Sequence, residues 1–394
     1  MADDPITHLV HPSYRAPAGF EALTAPIHHA STVVFKSVAD MESRRWDLDD
    51  CYTYGLRGTP TTFELEHKLA ALEGGERCLL APSGLAAIAI ADFTFLKAGD
   101  EVLVPDNIYG PNRELAATLL AEHGVTHRVY DPMNPASLAA AISPATRLVW
   151  MEAPGSISME MPDVPALVAA VRERERALGT QIVTALDNTW GAGLAFRPLD
   201  HGLDISMQAL TKYPSGGADV LMGALVTRDA ALHKRLRFTH MRLGYGVSGD
   251  DAYLVLRGLP SMAVRYAHHD ASARAVAAWL QARPEVATLL HPAFAGSPGH
   301  AYWKRDFSGA AGLFSVVFDA RYSQATVHAF VDALRLFKIG YSWGGPTSLV
   351  VPYRMRGSRA HWPHEGVLVR FNLGFEAVAD LIADLEQAMN AAFG

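Results

Sequence analysis

Two residues of complementary chemistry each stand at the end of a short apolar run. Asp187 closes Gln181-Ile182-Val183-Thr184-Ala185-Leu186, and Lys212 lies in Ala209-Leu210-Thr211-Lys212-Tyr213. A lysine amine can form an imine with a carbonyl, and a suitably placed acid keeps a pyridinium nitrogen protonated. These are the two protein groups that pyridoxal 5′-phosphate (PLP) chemistry needs most. Each also has an ordinary alternative, a solvated surface charge for Lys212 and a turn or cap aspartate for Asp187.

Three other positions fit the same chemistry. Ser83-Gly84 falls between an apolar run and a helical pattern. A helix start there offers unpaired amides and a positive dipole end to a phosphate, although a plain helix cap reads the same way. Tyr109, after the run Val102–Pro105, could stack on a planar ring or simply pack in a loop. In Leu368-Val369-Arg370-Phe371-Asn372-Leu373, alternation places Arg370 and Asn372 on one strand face. An exposed face would explain this, but a guanidinium fork also matches a substrate carboxylate.

Two patterns are decoys. Gly244-Tyr245-Gly246-Val247-Ser248-Gly249 has dinucleotide-binding spacing, yet the charged Arg235–Arg242 segment before it does not read as the strand such a site requires. The pairs His28-His29 and His268-His269 lack the spacing or cysteine partners of a metal site, so no metal is expected.

The elements that must position these residues follow from the apolar pattern. Continuous runs at Cys78–Ala81, Val102–Pro105, Leu148–Met151, Gln181–Leu186, Ile205–Leu210 and Leu221–Thr227 suit strands covered on both faces. Helical patterns intervene. One carries Leu65, Leu69 and Leu72 and stops at Gly74-Gly75; another opens on Asp163 with Pro165 in its first turn. This predicts an α/β domain with a mostly parallel sheet over 57–256, after an arm at 1–56 without strong periodicity. A smaller C-terminal α+β domain is expected over 257–394. It contains strands near Leu313–Phe318 and Leu368–Leu373 and closes on an amphipathic helix with Val378, Leu381, Ile382, Leu385 and Met389.

The chain's 394 residues exceed one ordinary core, and 49% hydrophobic against 19% charged residues describes a well-buried globular enzyme. A net charge of −7 supplies no basic field, so nucleic acid is not an expected partner. Two cysteines, Cys51 and Cys78, fit a reducing, cytoplasmic setting, and no signal peptide is read at the N-terminus. Leu79–Leu96 is nearly uncharged, but Pro82, Ser83 and Gly84 divide it into strand and helix, so no membrane association is expected.

Taken in order, the motifs resemble the Cys/Met-metabolism family of fold-type-I PLP enzymes, nearest to its bacterial cystathionine β-lyase branch. The likeness runs over nearly the whole chain. It includes Tyr54-Gly55-Leu56-Arg57-Gly58-Thr59-Pro60-Thr61, Leu72-Glu73-Gly74-Gly75, Pro154-Gly155-Ser156, Asp187-Asn188-Thr189-Trp190, Gln208-Ala209-Leu210-Thr211-Lys212-Tyr213, Tyr341-Ser342-Trp343-Gly344-Gly345 and Leu368-Val369-Arg370. The resemblance implies that Lys212 carries the cofactor as an imine, Asp187 pairs with its ring nitrogen and Tyr109 stacks on the ring. It places Ser83, Gly84, Leu85 and Thr211 at the phosphate, and Arg370 with Tyr341, Ser342 and Trp343 at the substrate carboxylate. It implies that the segment with Tyr54 reaches a neighbouring subunit's site in a dimer or tetramer.

Three departures stand out. Leu56 takes the place where relatives commonly have an arginine that binds the phosphate across the interface, which leaves Arg57 or another group to supply that charge; Gly217-Ala218 follows the lysine motif; and Pro346 follows the Gly-Gly pair. The implied reaction is α,β-elimination of L-cystathionine to L-homocysteine, pyruvate and ammonia, a step of methionine biosynthesis. Lys212 and Tyr109 would move the protons. The alternatives are cystathionine γ-lyase or γ-synthase chemistry, a broader cysteine-S-conjugate β-lyase and, from another class, a nicotinamide-dependent oxidoreductase.

Overall fold

Seven short segments pair into one sheet that carries much of the candidate site at the carboxyl ends of its central strands. The computed structural model of the chain describes residues 4–11, 14, 16–20, 22–44, 51–355, 359 and 362–394. The strands are β1 (Arg77–Ala81), β2 (Glu101–Pro105), β3 (Thr126–Tyr130), β4 (Thr146–Glu152), β5 (Val183–Asp187), β6 (Ile205–Ala209) and β7 (Gly223–Thr227), in spatial order β1-β7-β6-β5-β4-β2-β3. From β6 to β3 all pairs are parallel, while β7 runs antiparallel to β6 and β1. Parallel strands need crossovers, and helices such as Gly84–Phe95 and Val164–Leu178 supply them and cover the faces. Leu103, Val149, Leu186 and Ala224 are therefore buried in one apolar cluster, and Val102, Leu148, Ala185 and Leu225 in another.

A second sheet of five strands follows: β8 (Val286–Leu290), β9 (Leu313–Phe318), β10 (Lys338–Ile339), β11 (Leu349–Tyr353) and β12 (Leu368–Asn372), in order β10-β11-β12-β9-β8. The helix Val378–Phe393 packs on it through Leu381, Leu385 and Met389. The helix Gly249–Gln281 links the two sheets without interruption, so the boundary expected at 256/257 falls inside a continuous helix. Among the described residues of the arm only Pro5–Val10 and Val38–Glu42 are helical.

Some expectations hold and others do not. The glycine run at 244–249 follows the helix Ala230–Leu243, which Gly244 ends in a left-handed conformation (φ 69°), so no strand precedes it, as expected of a decoy. β3, β8, β10 and β11 escaped the sequence reading. β3 is an edge strand with exposed side chains, and β10 has only two residues, so neither shows a continuous apolar run. Leu79–Leu96 is the end of β1 followed by the helix Gly84–Phe95, and among the described residues no helix is long and apolar enough to cross a membrane.

The helix Gly84–Phe95 is tied to β4 by a buried polar pair: the Trp150 Nε1–H donates to Asp92 Oδ1 at 2.8 Å. Burial lifts the Asp92 carboxyl to about 7. The folded state thus holds a proton that the unfolded chain releases from about pH 4 upward, so stability falls as pH rises toward 7. Asp92→Asn keeps an acceptor for Trp150 and removes that titration. We expect the variant to unfold with a free energy larger than the parent's by of order 3 kcal/mol at pH 8, and by far less at pH 4, in urea titrations at both pH values.

Candidate active site

The carboxyl ends of β4, β5 and β6 open on a cavity of about 610 Å³, where ligands of open α/β sheets bind. Its wall includes Ser83, Gly84, Leu85, Tyr109, Asp187 and Thr211, with Lys212, Tyr341, Ser342, Trp343 and Arg370. Eleven sequence-selected residues are thus brought together from distant parts of the chain.

Lys212 follows β6. Its Nζ donates to Ser342 Oγ at 2.8 Å and lies 5.7 Å from the Trp343 ring centre. Burial, and next the Arg370 charge, bring the amine down to about 8; Asp187 pulls the other way. Ser342 sits at φ 99°, a left-handed conformation that a non-glycine residue adopts only at a cost of about 1–3 kcal/mol. The strain aims a hydroxyl at Lys212. Gly344 (φ 76°) lets the same loop lie against the Lys212 backbone, since an added Cβ would sit 3.1 Å from the Lys212 carbonyl carbon.

Asp187 ends β5. Its Oδ1 accepts the Thr189 N–H at 3.0 Å and the Thr189 hydroxyl, while the Ala209 N–H donates to Thr189 Oγ1 at 2.9 Å. Thr189 thereby ties the acid to the strand that leads into Lys212. Oδ2 has no hydrogen-bond partner among the described residues. Burial raises the carboxyl above its usual range, opposed by the Thr189 bonds and the Lys212 charge.

Ser83 caps the helix Gly84–Phe95 through Oγ, which accepts the Ala86 N–H at 3.0 Å, and leaves the earlier amides of that helix facing the cavity. Gly84 is required there because a Cβ would stand 2.9 Å from the Ala209 Cβ. Arg370 on β12 is 7% exposed. One guanidinium nitrogen donates to Ser156 O at 3.1 Å, and the group lies 5.1 Å over the Tyr353 ring. Its other N–H groups have no hydrogen-bond partner among the described residues, so a desolvated fork is left for a carboxylate.

Tyr54 and Arg57 are not brought to this cavity. Tyr54 is 49% exposed outside it. Arg57 is 2% exposed with its guanidinium 5.7 Å over Phe63, away from this chain's own cavity. The sequence reading passed over Thr189, Ser156, Asn372 and Glu152 as site residues. Asn372 Oδ1 accepts the Gly344 N–H at 3.1 Å and supports the Ser342 loop. Glu152 ends β4 as Asp187 ends β5, and that shared position was the available signal. His269, from one of the histidine pairs, bonds through Nδ1 with Leu373 O at 2.6 Å in a buried setting.

The family described as Cys/Met metabolism PLP-dependent enzyme matches residues 6–390 of this sequence. The chain belongs to that family. It is 46% identical over 374 residues to a putative cystathionine beta-lyase of Rhizobium johnstonii, covering 94% of this chain and 92% of the relative. It is 39% identical over 393 residues to the cystathionine beta-lyase of Escherichia coli, covering 98% of each. A solved cystathionine gamma synthase of Xanthomonas oryzae pv. oryzae, in complex with aminoacrylate and cysteine, superposes with TM-score 0.88 at 30% identity, covering 99% of each chain. The fold is that of fold-type-I PLP enzymes, and the protein is a PLP-dependent enzyme that takes a small amino-acid substrate. The residues present fit the cofactor: an acid with one oxygen unpartnered, an amine of lowered basicity and a helix amino terminus share one cavity.

Arg370 depresses the Lys212 amine, so removing its charge raises that group's pKa. In cofactor-free protein, Arg370→Gln is expected to move the pH at which Lys212 becomes alkylatable upward, read by mass spectrometry of the Lys212 peptide across pH 6–11. An unchanged or lower midpoint would show that the two charges do not interact.

Proposed function

We propose that this chain is a carbon–sulfur lyase that cleaves L-cystathionine by α,β-elimination to L-homocysteine, pyruvate and ammonia. The observation that carries the reading is the Lys212 amine in a cavity it shares with Asp187 and Arg370, its Nζ donating to Ser342 Oγ at 2.8 Å and its basicity lowered to about 8 by burial. The relatives named as cystathionine beta-lyases support the choice of substrate.

Bound pyridoxal phosphate supplies a protonated ring that draws electron density from the substrate Cα. Asp187 would hold the proton on the ring nitrogen, and Tyr109 would lie against the ring. The Gly84 and Leu85 amides, with the Ser83 and Thr211 hydroxyls, would receive the phosphate. Arg370 binds the substrate α-carboxylate, with Tyr341, Ser342 and Trp343 at its rim.

Lys212 Nζ takes the Cα proton. At pH 7 an amine near 8 is neutral in roughly a tenth of molecules, whereas an ordinary lysine is neutral in fewer than one in a thousand. The electron pair left at Cα expels the β-sulfur, and that sulfur needs a proton. Tyr109 is pushed above its ordinary value by burial and by Asp187 and Glu152. It is therefore a weaker acid than the Lys212 ammonium just formed, and Lys212 is the better donor to the leaving thiolate.

The arm carries exposed apolar side chains, among them Leu23 at 86% and Val34 at 88%, which favours a dimer or tetramer that covers them and takes Tyr54 into a neighbouring site. Cys51 and Cys78 are both unpaired, which suits a cytoplasmic location.

Incubation of the PLP-loaded protein with L-cystathionine is expected to release pyruvate and homocysteine in equal amounts. Lys212→Ala should lower the rate by at least about 10³-fold. Arg370→Ala should raise KM by about 10–100-fold, the worth of a charged hydrogen-bonded pair. Cysteine with 2-oxobutyrate as products would move the chain to γ-elimination.

A further inference from the structure

Glu152 is the buried titratable group in the cavity wall to which the proposed chemistry gives no task. It ends β4, and its Cα pairs in register with that of Asp187 on β5, so two acids stand side by side at the carboxyl ends of adjacent central strands. The residue is 8% exposed and lines the cavity. Its Oε2 accepts the Tyr109 backbone N–H at 2.6 Å. Tyr109 is the N-cap of the helix Gly110–Ala117 and makes no side-chain cap bond of its own, so Glu152 is the side chain holding this turn at its first residue. Oε1 has no hydrogen-bond partner among the described residues.

We propose that Glu152 is a positioning residue for Tyr109: its Oε2 fixes the backbone that presents the phenol to the cavity, and its Oε1 remains free for a polar contact with the occupant. The inference rests on Tyr109 stacking on the cofactor. The groups that bear on Glu152 are Asp187, Arg370 and the Tyr109 N–H. Burial first, then the Asp187 charge, hold its carboxyl well above the usual range, with the Tyr109 bond and Arg370 opposing. Burial thus favours the protonated form of Glu152 more than water would. What the geometry requires is an acceptor at the Oε2 position for the Tyr109 amide. An amide side chain keeps that acceptor, because glutamine carries a carbonyl oxygen on the same stem. Aspartate does not, since it draws the acceptor back by one methylene.

The test uses holoenzyme of four variants: Glu152→Gln, Glu152→Ala, Glu152→Asp and Tyr109→Ala. The readouts are the visible circular dichroism of the bound cofactor, and kcat and KM for L-cystathionine. Tyr109→Ala is expected to reduce the cofactor signal. Glu152→Ala should reproduce that reduction, with kcat down about 30-fold and KM within about threefold, a misplacement cost and not a binding cost. Glu152→Asp should lose about 10-fold in kcat at an unchanged melting temperature, which keeps the test alive where the alanine variant does not fold. Glu152→Gln should stay within about threefold of the parent in kcat with its signal intact. If Tyr109→Ala alters the signal while Glu152→Ala and Glu152→Asp match the parent, the proposal is wrong. A Glu152→Gln variant as impaired as alanine also overturns it, because an acceptor on the same stem is then insufficient. A Tyr109→Ala variant with a parental signal instead removes the stacking reading of Tyr109.

Discussion

The cost of taking the Lys212 ammonium out of water is the constraint around which this cavity is arranged. Burial lowers the basicity of the amine, and a second cation, Arg370, adds to that pressure. Asp187 opposes both. Its own carboxyl is raised by burial, so the acid and the amine each limit how far the other departs from its usual form. The balance leaves Lys212 near 8, close enough to neutrality for the amine both to accept and to return a proton. Charges at this separation from water are tolerable only when held, and each is held. Thr189 holds Asp187, Ser342 holds Lys212 and the Ser156 carbonyl holds Arg370.

Those holders come from two sheets. Asp187, Lys212 and Ser156 belong to the seven-stranded sheet and its loops; Ser342, Trp343 and Arg370 belong to the five-stranded sheet and its loops. The two sheets share one apolar cluster, which includes Leu186 of the first and Leu313 and Leu368 of the second, and polar and aromatic pairs join it close to the site. The Tyr213 hydroxyl accepts the Gly312 N–H at 2.8 Å, and the Tyr213 ring meets Tyr266 edge-on at 4.8 Å and Trp343 at 5.8 Å. Tyr213 is the next residue after Lys212, so the joint between the sheets and the chemistry share one stretch of backbone. A helix that runs unbroken from 249 to 281 limits how the two units can move. The strained backbone at Ser342 is sustained by this packing and by the Asn372 bond to Gly344.

The sequence made the central strands legible because each is buried on both faces and reads as one apolar run. Asp187 and Lys212 stood out as a complementary acid and amine near the ends of two such runs, although each alone has an ordinary structural explanation. Edge strands gave no such contrast. β3 exposes Thr126, Arg128 and Val129 to varying degrees, and β10 is too short to show a period. The site's supporting contacts were hidden for another reason. Ser342 meets Lys212, and Ser156 meets Arg370, across long stretches of chain, and each contact depends on a loop conformation that composition does not encode. Glu152 was within reach, since it follows the run Leu148–Met151 just as Asp187 follows its own. It was overlooked because one acid suffices for a pyridinium and nothing in the local pattern assigns the second.

Leu56 and Arg57 make the phosphate end the least self-sufficient part of the proposed site. Leu56 packs on the glycine loop, where a Cβ at Gly246 would lie 3.2 Å from Leu56 Cδ1, and Arg57 is buried against Phe63. The cations in the described cavity wall are Lys212 and Arg370, and the proposed reading commits both to the reacting end. A helix amino terminus supplies about half a positive charge, against roughly one and a half to two negative charges on a phosphate. Hydroxyls and amides can satisfy its oxygens, but they cannot balance that charge. Under the proposed reading, then, either the phosphate is held mainly by hydrogen bonds and the dipole, or a neighbouring subunit brings a cation to it. The exposed Tyr54 lies on the same short segment as Leu56 and Arg57, so an assembly that carries this segment to a neighbour would complete the site where one chain leaves it short of charge.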